Sequence, residues 1–286
     1  YTRPDKENDR TKHVQMTNAN TGPVFLTFKN NGDFKNLIKN TTEKKPYISF
    51  KADDYTFHSI WKLKSELIIK NIESYFRSIP DLYIADGHHR AAAASRVKKL
   101  KQDLNPKHSG KESYNFFLSV IFPHDQVQIL GYNRLVDPSQ IDQENLLDFI
   151  SLNFKISKLS NGKYPASKTT IAMYFSGSWY YLKFKEKLSS NNFVSTLSAS
   201  ILQNYLLKPF FNIDDPRTSN KLEFIGGIKR LEELENMCSK KMIAFVMCPV
   251  EVDDLFTVAD AGQVMPPKST WFEPKLRSGL VVRLLD

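Results

Sequence analysis

Two cysteines in 286 residues, Cys238 and Cys248, are too few for a disulfide framework and cannot by themselves cage a metal ion. They suit a reducing setting, and a cytoplasmic location is expected. Long apolar runs are also missing. Residues 242–250 form the longest such stretch, far short of a membrane span, so no membrane partner is expected. Glycine (11) and proline (14) are sparse, which excludes collagen-like and low-complexity architectures. No signal peptide is visible, and the sequence starts at Tyr1 without an initiator methionine, which reads as a fragment.

What is present is a globular composition: 41% hydrophobic, 12% aromatic and 25% charged, enough to bury a substantial core. Forty Lys and Arg against 31 Asp and Glu leave a net charge of +9, which favours anionic partners without choosing among them. The basic residues are dispersed, with local groups only at Lys98, Lys99 and Lys101 and at Lys240 and Lys241. No nucleic-acid arm is formed, so a nucleic-acid partner is not expected. The oligomeric state is not encoded in any visible pattern.

The apolar spacing predicts an α+β mixture without internal repeats. Residues 1–20 are polar, with little periodicity. Strands are expected at 24–28, 46–50, 55–63 and 81–86, with a helix between Leu67 and Ile79 and another over 88–101. Beyond a polar loop at 105–112, strands are expected over 115–122 and 127–136, then a helix over 143–154 and a hairpin of 168–175 with 179–185. A break at 188–192 precedes a long amphipathic helix over 193–207. Strands at 221–225 and 242–250, helices at 228–238 and 252–259, and strands around 270–272 and 279–285 complete the chain. A domain boundary is placed near 105, giving regions 1–104 and 105–286.

Asp86-Gly87-His88-His89-Arg90 sets a carboxylate, two imidazoles and a guanidinium in the turn from a strand to a helix. A helix N-terminus presents unpaired N–H groups and about half a positive charge, worth roughly 0.3–1 kcal/mol to an anion. Gly87 lets the backbone approach a ligand, and Arg90 can clamp phosphate in a bidentate fashion. The histidines can donate to phosphate oxygens or carry a proton near neutral pH. Asp86 can orient a histidine, hold Mg²⁺ or accept a proton from an attacking hydroxyl. The bland alternative makes Asp86 a helix cap, the histidines exposed first-turn residues and Arg90 the partner of a surface carboxylate. A metal site on His88 and His89 is disfavoured, because adjacent side chains diverge. Alanines 91–94 would let the helix pack closely on its sheet.

Two further segments carry charge. Asp214-Asp215-Pro216-Arg217-Thr218 reads either as a Mg²⁺-phosphate site or as an ordinary turn. Gly226-Gly227 is a candidate backbone nest. The Pro-bounded segment holding Lys268, Ser269, Thr270, Glu273, Lys275 and Arg277 reads either as one wall of an anionic pocket or as a solvated loop.

Together with Tyr1–Arg10 and Thr21-Gly22-Pro23, these segments make the chain resemble the uncharacterised "domain of unknown function 1015" family. The resemblance spans the whole chain and implies that an N-terminal portion of the family is missing here. The Asp-Gly-His-His-Arg turn further resembles the phosphate turn of the ParB, sulfiredoxin and SerK free-serine kinase group. That implies a ParB/sulfiredoxin-like mixed sheet over 1–104, with Gly87, His88, His89 and Arg90 on nucleotide phosphates. It places Asp86 beside the transferred phosphoryl group, with Mg²⁺ and ADP or ATP as cofactors. The implied activity is phosphoryl transfer to a small hydroxylated metabolite such as L-serine. The kinase group's catalytic glutamate would fall in the missing portion. The alternative is a ParB-like nucleotide-dependent switch or DNA-associated binder without kinase activity. A sulfiredoxin-like reductase is disfavoured, since His88 stands where that chemistry needs a cysteine. No Walker-type or kinase Gly-rich loop is present.

Overall fold

The computed structural model describes residues 4–32, 34–139, 142–186, 192–238 and 242–285. Lys240, Lys241, most of the expected break at 188–192 and the first three residues of the opening segment lie outside them. The chain is an α+β mixture that divides into two compact units. One runs from Gln128 to Lys275; the other consists of the chain up to Val127 together with a return segment that begins at Leu276.

The boundary therefore falls at 127/128 and again at 275/276, where the sequence had suggested 104/105. The reason is a strand pairing: Ser119–Pro123 runs parallel to Val24–Phe28, with Val24 opposite Ser119 and Phe28 opposite Pro123. Tyr83–Asp86 pairs antiparallel on the other side of Val24–Phe28. The middle strand is buried at all five positions, as expected of a strand flanked on both edges and covered on both faces. Phe28 is fully buried and meets the rings of Phe34, Tyr75 and Phe76 edge-on, with centroids 5.4–6.0 Å away.

In this unit the helix Pro4–Thr17 packs along the helix His88–Asp103, and Arg96 joins them by donating to Glu7 (3.2 Å) and Asn8 (2.8 Å). Residues 1–20 show little apolar periodicity because only Thr11 and Val14 of this helix turn inward. Pro4 in the first turn, followed by Asp5 and Glu7, was the available signal. Of alanines 91–94 only Ala93 is buried, as is Val97 one turn on, and the helix packs mainly on Pro4–Thr17 rather than on the sheet. The hairpin Ile48–Lys51 with Phe57–Ile60 and the helix Glu66–Ser78 follow the predicted order.

The second unit is built on a six-stranded antiparallel sheet in the order Leu222–Gly226, Tyr132–Val136, Ile243–Val246, Thr170–Phe175, Ser178–Phe184, Phe154–Leu159. Alternation along each strand separates two cores. Ile171, Met173 and Phe245 face a cluster with Leu146, Ile150 and Leu202, whereas Ala172, Ala244 and Val246 face Leu234 and Cys238. The strand Phe154–Leu159 goes beyond the sequence expectation, which places Phe154 at the end of the preceding helix and assigns no element to Ile156 and Leu159. The expected long helix over 193–207 is three pieces, Phe193–Thr196, Ser198–Leu202 and the π-turn Gln203–Leu207. Leu197, extended at φ −74° and ψ 139°, makes the first break.

Candidate functional site

The strand Tyr83–Asp86 ends on an exposed Asp86, and Gly87 turns the chain at φ 87°, ψ 25°, a left-handed conformation suited to glycine. Gly87 N donates to Asp86 Oδ1 at 2.7 Å, and the Gly87 carbonyl accepts from Arg90 N (2.8 Å) and Ala91 N (3.0 Å). The helix thus starts at His88 with Gly87 as its cap and no side-chain capping bond. Asp86 does not cap the helix; its carboxylate fixes the turn. His88 is exposed and His89 half-buried, with ring centroids 4.1 Å apart at 45°.

Arg90 does not pair with a surface carboxylate. Its Nη1 donates to the Pro23 carbonyl at 2.7 Å, and the half-buried guanidinium lines a cavity of about 150 Å³. The same cavity is lined by Arg10, His13, Thr21, Gly22 and Ser278, and no carboxylate borders it. His13 Nε2 stands 3.0 Å from Thr21 Oγ1. Of the five-residue turn, Arg90 alone reaches this space. Sequence reading missed Arg10 and His13, although their spacing of three places them on one face of a helix once that helix is recognised. Apolar side chains, among them Val14, Val24 and Phe117, complete the walls, so the polar side is made by Arg10, His13, Asn20, Thr21, Arg90 and Ser278, a donor set suited to a small anion such as a phosphate group.

The other candidate residues are used differently. Asp215 and Arg217 satisfy each other: Arg217 Nε reaches Asp215 Oδ1 at 2.9 Å and Nη2 reaches Oδ2 at 2.7 Å. The guanidinium beside it holds the Asp215 carboxyl down at about 2. Lys268 lies over the Tyr132 ring (5.1 Å) and Lys275 over Trp271 (4.2 Å). Ser269 is buried and donates to the Pro266 carbonyl (2.8 Å), and Thr270 is half-buried. Glu273 accepts from Trp271 Nε1 (2.7 Å) and Lys275 N (3.0 Å). The strand Trp271–Glu273 pairs with Gln128–Leu130, which ties the segment to the second unit.

Gly226 and Gly227 serve packing: a Cβ would clash with the Trp271 ring at the first and with the Gly131 carbonyl at the second. Arg277 belongs to the first unit, where Nε reaches His58 Nε2 at 3.2 Å and Nη2 bonds to Asp54. The residue of this segment that enters the cavity is its neighbour, Ser278.

Among the described residues there is no group of three or more His, Cys, Asp or Glu side chains placed to hold a metal ion. Nor is any described helix long and apolar enough to cross a membrane.

Fold and site together define an α+β protein with a cationic cavity at the start of a helix. The chain belongs to the family described as "Protein of unknown function (DUF1015)", whose model matches residues 1–204. The match includes the Asp86–Arg90 turn and ends before the segments at 214–218 and 264–280. No curated protein matches the chain.

Solved structures with a similar path include a free serine kinase in complex with AMP, at 13% identity and TM-score 0.45 over 99% of this chain and 86% of that one. A C-terminally truncated SbnI from Staphylococcus aureus matches at 13% and 0.49, over 99% and 82%. A conserved hypothetical protein from Pyrococcus furiosus matches at 12% and 0.44, over 97% and 87%. At these values no residue role carries across.

Proposed function

We propose that the Asp86–Arg90 turn and the adjoining cavity bind the phosphates of a nucleotide, and that the protein transfers a phosphoryl group to a small hydroxylated metabolite, L-serine being the first acceptor to try. The observation that carries the reading is Arg90: a half-buried guanidinium at a helix start, held by a main-chain carbonyl and facing a cavity bordered by Arg10 and His13 without a carboxylate. A cavity of about 150 Å³ suits phosphate groups and is too small for a whole nucleotide, so the base and ribose would lie outside it.

In this reading Gly87, His88, His89 and Arg90 form the phosphate-binding turn, with Gly87 letting the backbone approach, the histidine rings donating and the Arg90 guanidinium making charge-assisted bonds. Asp86, exposed at the strand end, takes the proton of the attacking hydroxyl or shares Mg²⁺ with the phosphates. Phosphoryl transfer asks chiefly for positioning and charge neutralisation, and such a cluster supplies both.

The test is calorimetry with ADP, ATP and CTP in the presence of Mg²⁺, followed by mass spectrometry of the mixture after serine is added. Binding that Arg90→Ala removes, together with phosphoserine formation, supports the kinase. Arg90-dependent binding with no product from any hydroxylated acceptor favours a nucleotide-dependent switch. No binding of any nucleotide overturns the reading.

A further inference from the structure

The return segment from Leu276 onward is fastened to the first unit at several points. Gly279 N donates to the Thr21 carbonyl at 2.7 Å, Arg283–Leu284 pairs with Ala19–Asn20, and Leu285 N donates to the Asn18 carbonyl at 2.9 Å. Lys101 Nζ, itself held by Asn18, donates to the Leu285 carbonyl at 3.0 Å, and Arg277 engages Asp54 and His58. These bonds fix the backbone on both sides of Ser278. The consequence is visible at Gly22. A Cβ there would lie 3.0 Å from Ser278 Oγ and 3.4 Å from Arg90 Nε, so the hydroxyl and the guanidinium converge on one point that only glycine leaves open.

We propose that Ser278 is a ligand-contacting residue, and that the return segment supplies one wall of an anion site shared with Arg90, Arg10 and His13. The ligand class is a phosphate or diphosphate group. The Ser278 hydroxyl donates to an anion oxygen that Arg90 also contacts, and Arg277 holds the segment in place from the Ile48–Ile60 hairpin. The location of this site rests on the phosphate-binding reading above; its ligand need not be a nucleotide.

The experiment is calorimetry of the whole chain with two probes, inorganic pyrophosphate and ADP, each with Mg²⁺. Wild type is compared with Ser278→Ala, Ser278→Thr, Ser278→Asp and Gly22→Ala, and thermal melts check the fold of each. Ser278 is exposed, so its variants are expected to melt with the wild type. Loss of a hydrogen bond to a charged group should weaken both probes by about tenfold or more in Ser278→Ala. Threonine should restore binding, aspartate should abolish it, and Gly22→Ala should reproduce the loss.

Unchanged affinity in Ser278→Ala and Ser278→Asp, with binding still dependent on Arg90, overturns this inference and leaves the nucleotide reading standing. Ser278-dependent binding of pyrophosphate without any binding of ADP does the reverse. If wild type binds neither probe, both fall.

Discussion

At the scale of single residues, Gly87 and Arg90 separate structural from ligand-binding roles. Gly87 sits at φ 87°, where a Cβ costs about 1–2 kcal/mol and would stand 3.4 Å from Val24 Cα. Gly87→Ala should therefore lower the unfolding free energy of the first unit by that amount in a urea titration, as well as disturb binding. Arg90→Ala gives up one hydrogen bond to a carbonyl that water can partly replace. It should cost no more than about 1 kcal/mol in the same urea titration while removing the binding proposed above. A large loss of stability with binding kept would make Arg90 a structural residue.

Glu112 gives a residue-scale prediction in pH. Its carboxylate accepts from Ser109 N (2.6 Å), Ser109 Oγ (2.9 Å), Gly110 N (2.9 Å) and Asn115 Nδ2 (3.0 Å), and its pKa is pulled down to about 2, first by the Ser109 N–H. A carboxyl lowered in the folded state stabilises above its unfolded value of 4.5, and that contribution fades as pH falls from 4.5 towards 2. Wild type should thus exceed Glu112→Gln in stability above pH 5, and the difference should vanish near pH 2, read by circular dichroism at a fixed urea concentration.

At the scale of elements, the packing within each unit predicts where truncation hurts. Phe28, fully buried against three rings on the central strand of the first unit, should cost about 3–5 kcal/mol as Phe28→Ala. Cys238 closes the helix Leu231–Cys238 within the second core, and burial pushes its thiol up to about 11. At pH 7.5 it should resist alkylation in the native protein and react after urea unfolding. The hairpin Thr170–Phe175 with Ser178–Phe184 was legible because period-2 apolar residues flank Gly177, which sits at φ 73°. The break at Leu197 within 193–207 was not, because local periodicity there continues unbroken through a change of backbone conformation imposed by packing.

At the scale of the molecule, the return segment makes the first unit discontinuous in sequence. A chain ending at Lys275 removes the strand Arg283–Leu284, the Lys101–Leu285 contact and the Gly279–Thr21 bond. Hydrogen exchange should show loss of protection in the helices Pro4–Thr17 and His88–Asp103. The six-stranded sheet of the second unit should keep its protection, because its strands and both of its cores lie within residues 128–275.

The sequence by itself determined the α+β class, the strand–glycine–helix turn at Asp86–Arg90 and the family, because those depend on short-range periodicity, on glycine's backbone freedom and on contiguous motifs. Only the tertiary structure decided that Ser119–Pro123 joins the first unit, that Asp215 and Arg217 neutralise each other, and that Arg10, His13 and Ser278 stand around Arg90. Those outcomes come from contacts between residues far apart in the chain or from the choice of partner for a charge. A polar helix such as Pro4–Thr17 turns its few buried residues inward only because His88–Asp103 lies beside it.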